Sequence, residues 1–265
     1  AGFEMNAGAQ NNMGHDFKVS RLEYYISEIS LIHDGGQETA VEDLYVLVNA
    51  ASRTTAELGE FNIDKLEKIK FHIGVDPDHN HLDPTSFPTS HPLAPKAPSM
   101  HWGWAAGYRF VAMEGNGGSN YNQLFQLHGL GDINYQTTEV DLDLTGNNNE
   151  VNIDLNADYT KLLENISVNS GVIVHGDNLQ AKQCLENFRD YVFSSPSITS
   201  STIDFSEVNS FGVYPNPVVA NETRVKLDIA NKLYNYNIQI TSVEGKLVQN
   251  IISVNDGQVI NLDNY

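Results

Sequence analysis

The sequence predicts an all-β protein: an antiparallel β-sandwich with a few peripheral helices, followed by a small C-terminal β-sandwich. Three observations carry that expectation. In Lys68–Val75 the apolar Ile69, Phe71, Ile73 and Val75 alternate with Lys68, Lys70 and His72, the period of a strand with one buried face. Runs of β-branched and aromatic residues end at glycine- and asparagine-rich turns. The charge is divided unevenly along the chain, which marks two domains.

Taken in order, Phe17–Ile32 is the longest strand candidate, rich in Val, Ile, Leu and Tyr and closed by the turn Asp34-Gly35-Gly36. Leu44–Ala50 follows as a short apolar strand, and then the alternating segment above. Val140–Leu144 and Val151–Leu155 flank Gly146-Asn147-Asn148-Asn149 and read as a hairpin with a longer turn. Two segments have helical patterns: Asn156–Ile166, with Asn156 or Asp158 as N-cap, and Asn178–Phe193. The one cysteine, Cys184, falls near the apolar side of the second helix and is read as a buried thiol. One cysteine excludes an intrachain disulfide framework and a thiolate metal cluster.

Residues 211–265 hold five acids and four bases, whereas residues 1–210 hold 29 acids, 11 bases and all nine histidines. The Ser/Thr-rich stretch between them has linker composition. The expected division is a first domain over 1–193, a linker over 194–210 and a second domain over 211–265.

A formal charge of −19 excludes a nucleic-acid binder that works through a basic face. No apolar run is long enough to span a bilayer, so no membrane insertion is expected. The first residues show neither a basic nor an apolar signal region, and any signal peptide is expected to have been removed already. No serine-nucleophile elbow, phosphate loop or dinucleotide fingerprint is present, and the chain is not expected to be an enzyme. Gly115-Asn116-Gly117-Gly118 lacks the Lys-Ser/Thr of a phosphate loop and reads as a loop turn.

Six of the nine prolines lie in residues 77–98, which excludes regular helix or central strand there. A loop of that length inside a domain is read as ordered and functional. Its start carries Asp76, Asp78, Asn80 and Asp83, oxygen ligands for a hard cation such as calcium, although turn-forming Asp and Asn before proline explain them equally well. Six of the nine histidines fall between His72 and His128, and imidazole is the commonest transition-metal ligand. The loop leads into Met100-His101-Trp102-Gly103-Trp104, where both tryptophans lie two residues apart. In an extended strand Met100, Trp102 and Trp104 share one face, which on residue pattern alone favours two core tryptophans.

Gly74-Val75-Asp76, the Pro-rich loop, Met100-His101-Trp102-Gly103-Trp104, Gly107-Tyr108-Arg109-Phe110 and Glu114-Gly115 together resemble the MbnP-like copper-binding proteins. Leu22–Ser27 matches that family's strand with paired tyrosines, and Phe125–Gly131 resembles its downstream histidine-glycine element. The resemblance covers roughly residues 15–170. It implies copper held by histidines together with a tryptophan oxidised to kynurenine, and a partner di-haem enzyme that carries out the oxidation. By position it implies His128 as the first ligand, His101 and His72 as further candidates, and Trp102 or Trp104 as the oxidised residue. His175 lies outside the histidine cluster and is not expected to contribute.

Tyr214-Pro215-Asn216-Pro217 and Val243-Glu244-Gly245-Lys246-Leu247-Val248 resemble the sorting domain of type IX secretion cargo. That resemblance implies the type IX machinery as partner, a Bacteroidota-type source, and an address in the medium or on the outer-membrane surface. Against that pattern the domain is expected to be incomplete at its C-terminus. The functions left in competition are copper capture or delivery, a metal-free adhesive surface module, and a calcium-stabilised binding module.

Overall fold

The computed structural model describes residues 3–145 and 150–196, together with the backbone of five strands between residues 211 and 261. It divides into two compact units, Ala1–Ser197 and Ile198–Tyr265. The first unit is mostly β, as expected.

Its strands are β1 (Ala9–Gln10), β2 (Asp16–His33), β3 (Gln37–Ala40), β4 (Val46–Asn49), β5 (Lys65–Ile73), β6 (Val111–Gly117), β7 (Gln123–Gly129), β8 (Gln136–Thr145), β9 (Asn156–Ala157), β10 (Val172–Gly176) and β11 (Phe193–Ser194). The sheet path is β10-β7-β6-β2-β5-β8, with β1, β3 and β4 also paired to β2. Every pairing is antiparallel except that of β10 with β7.

The eighteen residues of β2 organise this layer. Its first half pairs with β6 and its second half with β5. At the junction the Tyr25 N–H donates to the Phe110 carbonyl at 3.1 Å, and the Tyr25 carbonyl accepts from the Gly74 N–H at 2.9 Å. Both groups of one strand residue point to the same edge, so β6 and β5 lie end to end along it. The opposite edge takes β1, β4 and β3. Directly after Ser27 a bulge sets Glu28 and Ile29 against the single residue Phe71 of β5, and Glu28 takes a positive φ of 45° there.

The buried face alternates as the period of two requires: Leu22, Tyr24, Phe71, Ile73, Met113, Phe125 and Leu127 are all at or below 2% exposure. Over it pack helix α2 (Leu179–Asn187) and the wide helical turn Phe188–Val192 that continues it. Phe188 lies 4.7 Å from Tyr24, and Phe193 meets Phe71 edge to face at 5.1 Å. Cys184 is fully buried on this helix, where desolvation pushes its thiol up to about 12.

Several expectations are corrected. The Pro-rich loop does contain helix: α1 (Pro77–Asn80) and a single turn at Pro84–Ser86, each with proline at its first position and Asp76 or Asp83 as N-cap. Proline lacks only an N–H that a helix start leaves unpaired, so it opens a turn as readily as it breaks one. Asn156–Ile166 is not an α-helix; it is β9 followed by a tight 3-10 turn at Tyr159–Leu163, capped by Asp158. Val151–Leu155 forms no strand, and the turn expected at 146–149 lies outside the described residues. Gly115 and Gly117 belong to β6, where a Cβ would come within 2.0 and 2.3 Å of the carbonyls of Lys18 and Val168. Ser194, read as linker, pairs in β11 with Asn156.

The second unit contains β12 (Phe211–Tyr214), β13 (Arg224–Ile229), β14 (Tyr236–Thr241), β15 (Leu247–Val254) and β16 (Val259–Asn261). They form two antiparallel sheets, β12-β13-β16 and β14-β15. Pro215–Pro217 and Val243–Lys246, which carry the sorting-domain resemblance, lie outside the described residues. Among the described residues no helix is long and apolar enough to cross a membrane.

Two tests follow from the junction and the division. At Gly74 φ is +126° and a Cβ would sit 2.5 Å from the Phe110 ring. Gly74→Ala is therefore expected to cost about 3 kcal/mol or more in urea unfolding, from backbone strain and overpacking together. A chain ending at Pro196 is expected to unfold cooperatively with an unchanged midpoint, and loss of cooperativity would show a shared core.

Candidate metal centre

The strand registers build a row of side chains across the outer face of the sheet. Glu23 pairs with Ala112, Ala112 with His128, and His128 with His175, on β2, β6, β7 and β10 in turn. One residue further along, the opposite face carries the buried Leu127 and Met113, so the row faces away from the core. The parallel pairing matters here. It sets His175 directly beside His128, and their rings stack at 4.1 Å with planes 8° apart.

The segment expected to be a strand with core tryptophans is instead a tight hairpin. Trp102 N–H donates to the Gly107 carbonyl at 2.9 Å, Gly107 N–H returns to the Gly103 carbonyl at 2.8 Å, and His101 bridges to Tyr108. The glycines at 103 and 107 have φ of 91° and 71°, a turn geometry that an alternating strand does not allow. Met100 beneath is 1% exposed, but Trp102 is 41% and Trp104 76% exposed. The pattern of alternate large residues marked a surface hairpin, not a core.

This hairpin places one tryptophan over the histidines. The Trp102 ring meets His175 edge to face at 5.0 Å and His128 at 6.2 Å, and the Arg109 guanidinium lies 4.9 Å from the Trp102 ring centroid. Trp104 is the more exposed of the two, and its backbone carbonyl accepts from His81 Nδ1 of the Pro-rich loop at 2.7 Å.

His128 is 5% exposed. Its Nε2 lies 2.9 Å from Glu114 Oε1, and its Nδ1 is buried with no hydrogen-bond partner. Glu114 also accepts from Arg21 Nη1 at 2.8 Å, and Arg21 is held in turn by Glu23 at 2.7 Å. Burial is the main cause that lowers the His128 imidazole to about 4, with His175 and Arg109 adding to it against the pull of Glu114. His175 is also lowered, by desolvation first and Arg109 second. Both rings are thus neutral at neutral pH, the form that ligates metal. Two adjacent imidazoles, one with a bare buried nitrogen, fit a borderline transition metal such as copper. Among the described residues no three His, Cys, Asp or Glu side chains gather as a ready cage.

The structure does not bring the other named histidines to this place. His72 stacks on Tyr135 at 4.4 Å and shares a hydrogen bond with Thr137 at 2.8 Å. His101 meets Tyr108 edge to face, and its Nδ1 accepts from the Gly103 N–H at 3.3 Å. The oxygen-rich loop does not gather either. Asp76 accepts from Tyr45, from the His79 ring at 2.8 Å and from the His79 N–H; Asp83 caps Thr85; and the buried Asn80 binds Asp132 and the Tyr108 N–H. Helix starts and loop closure use these oxygens, and Asp78 stands apart from them. His175, set aside by sequence position, is the residue that sequence reasoning missed. A signal was present: Leu127-His128-Gly129 and Val174-His175-Gly176 repeat an apolar-His-Gly pattern, and the two triplets pair in register.

A protein-family profile described as MbnP matches residues 2–180. Among solved structures the chain is similar to MbnP from Methylosinus trichosporium, at 15% identity and a TM-score of 0.42, over 63% of this chain and 74% of that one. No curated protein matches the sequence.

The electrostatics give a pH test. An unfolded histidine takes its proton near pH 6.5, whereas folded His128 refuses it until about 4. Between those values the unfolded chain binds a proton that the native one does not, so stability falls as pH drops, by roughly 3 kcal/mol at most. Glu114, also lowered, adds a loss only at more acidic pH. In proton NMR the His128 ring signal should stay unmoved through pH 6 and shift only near 4, while His81, raised by its bonds to Trp104 and Asp132, should titrate above its ordinary value. A His128 that titrates near 6.5 would overturn this account.

Proposed function

The chain belongs to the MbnP family, and from that premise we propose that it binds copper, for capture or delivery, without turnover of its own. The observation that carries the reading is the register of β7 and β10, which sets His128 beside His175 under Trp102. His128 and His175 would hold the ion. Two imidazoles leave a soft or borderline ion short of ligands. Trp102, within reach of both rings, is the residue whose oxidation to kynurenine would add an amine and a carbonyl; Trp104 is the more exposed of the two. A di-haem oxidising partner belongs to the same reading. Copper bound there supplies a cation-centred site; the chain supplies neutral donors and a face closed from below by the sheet.

The two rings stand in near-parallel planes, and one ion cannot lie in both. Binding therefore requires one ring to turn, and exposed His175 has the room that buried His128 lacks. The acidity of the first domain favours the approach of a cation. Export by type IX machinery to the surface or medium is part of the proposal, supported by the Tyr-Pro-Asn-Pro and Gly-Lys elements of the second unit.

Copper competition titrations test the assignment. His128→Ala and His175→Ala should each lose most of the affinity, while His72→Ala and His101→Ala should stay within about threefold of the parent. Copper should raise the melting temperature at pH 7 and lose that effect near pH 4, where imidazole protonates. Protein from the native organism should carry the kynurenine mass shift on the peptide containing Trp102. Full affinity in both His128→Ala and His175→Ala would remove the site.

A further inference from the structure

We propose that Glu114, held by Arg21, is a positioning residue that fixes the tautomer of His128 and makes Nδ1 the atom presented to the metal. The metal-facing part of this inference rests on His128 as a ligand, whereas the tautomer follows from the Arg21–Glu114–His128 contacts alone. Glu114 Oε1 lies 2.8 Å from Arg21 Nη1 and 2.9 Å from His128 Nε2. An arginine side chain keeps its proton and has donors only. The carboxylate facing it stays ionised and has acceptors only. The proton in the His128–Glu114 hydrogen bond must therefore sit on Nε2.

Burial keeps the ring from taking a second proton, so Nδ1 is left as a bare lone pair. That atom is shielded from solvent and has no partner. Leaving a buried acceptor unmatched costs about 1–3 kcal/mol, and such a group calls for an explanation in a missing water or ion. A metal at Nδ1 explains it, and the carboxylate on the far nitrogen is the arrangement that orients metal-binding histidines and raises their basicity.

His15 and His72 also have a buried Nδ1 without a partner, but neither has a carboxylate hydrogen-bonded to its Nε2. His33 and His81 have partners on both ring nitrogens. Thr137 beside His72 can donate or accept, so it fixes no tautomer. His101 accepts at Nδ1, which leaves its buried Nε2 carrying a proton and not a lone pair. His79 does have a carboxylate partner, Asp76, but its side chain is 40% exposed.

Long-range proton–nitrogen NMR on the nitrogen-15-labelled, metal-free full chain reads this directly. His128 should show a proton-bearing Nε2 and a bare Nδ1 as a single tautomer. Glu114→Gln, whose amide can donate as well as accept, should lose that single-tautomer signature, and Glu114→Asp should restore it in part. Adding cuprous ion, which is diamagnetic, should move the Nδ1 signal while Nε2 keeps its proton, and Glu114→Gln should weaken binding about tenfold to a hundredfold. A proton on Nδ1 in the metal-free protein, or cuprous ion shifting Nε2 instead, would overturn the inference. If the tautomer is as stated and no His128 signal responds to cuprous ion, the copper reading fails and only the assignment of the proton to Nε2 by Glu114 stands.

Discussion

The fold hangs on the backbone of Tyr25. Its N–H and C=O both point to one edge of β2, and each is taken by a different partner, Phe110 ahead of β6 and Gly74 behind β5. One strand thereby becomes the common member of two strand sets. Everything about the outer face inherits its position from this junction. It aligns β6 on β2, β6 aligns β7, and β7 aligns β10, so the histidine row is placed by three successive registers and not by a loop. The tolerance is small, because a one-residue slip anywhere along this path would send His128 or His175 to the core side. Ser27, whose hydroxyl donates to the Gly74 carbonyl at 2.9 Å, and the buried rings of Tyr25 and Phe110 hold the junction from the side.

Much of this was legible before any coordinates. The long strand, its Asp-Gly-Gly turn and the alternating strand at residues 65–73 follow from local pattern, and the buried Cys184 from helical spacing. The failures share a cause. Proline was read as a breaker where it begins a turn, and Trp-x-Trp was read as a strand where two glycines with positive φ fold it back on itself. Both are cases in which a single backbone conformation overrides side-chain periodicity. At the site, His128 was legible from the downstream motif, whereas His175 lies 47 positions away in a short strand at the end of the sheet path. No local rule reports a parallel pairing between segments so far apart. His72 and His101 are close in sequence to the motif, but His72 lies on β5, across the junction from β6 and β7, and His101 is held in the hairpin against Tyr108.

The charges of the site run against those of the chain as a whole. In a protein with a formal charge of −19, histidines are expected to hold their protons well. Here desolvation, with His175 and Arg109 adding to it, outweighs that field within a few ångströms, and His128 stays neutral. Glu114 mediates between the two: it satisfies Arg21, accepts the one proton His128 offers, and keeps a carboxylate ionised on a half-buried face. Local contacts therefore decide the chemistry, while the net charge acts only at a distance, on what approaches.

The burial of Cys184 has a bearing on selectivity. A thiolate is the strongest soft-metal donor a protein has, and one exposed sulfur would outcompete a pair of imidazoles for a cuprous ion. Sealed in α2 against the core and with its proton tightly held, that sulfur is withdrawn from metal exchange and from oxidation alike. The surface therefore offers a soft cation no thiolate to compete with the paired imidazoles of His128 and His175. In its folded state the chain thus presents no accessible thiol, although it carries a free cysteine.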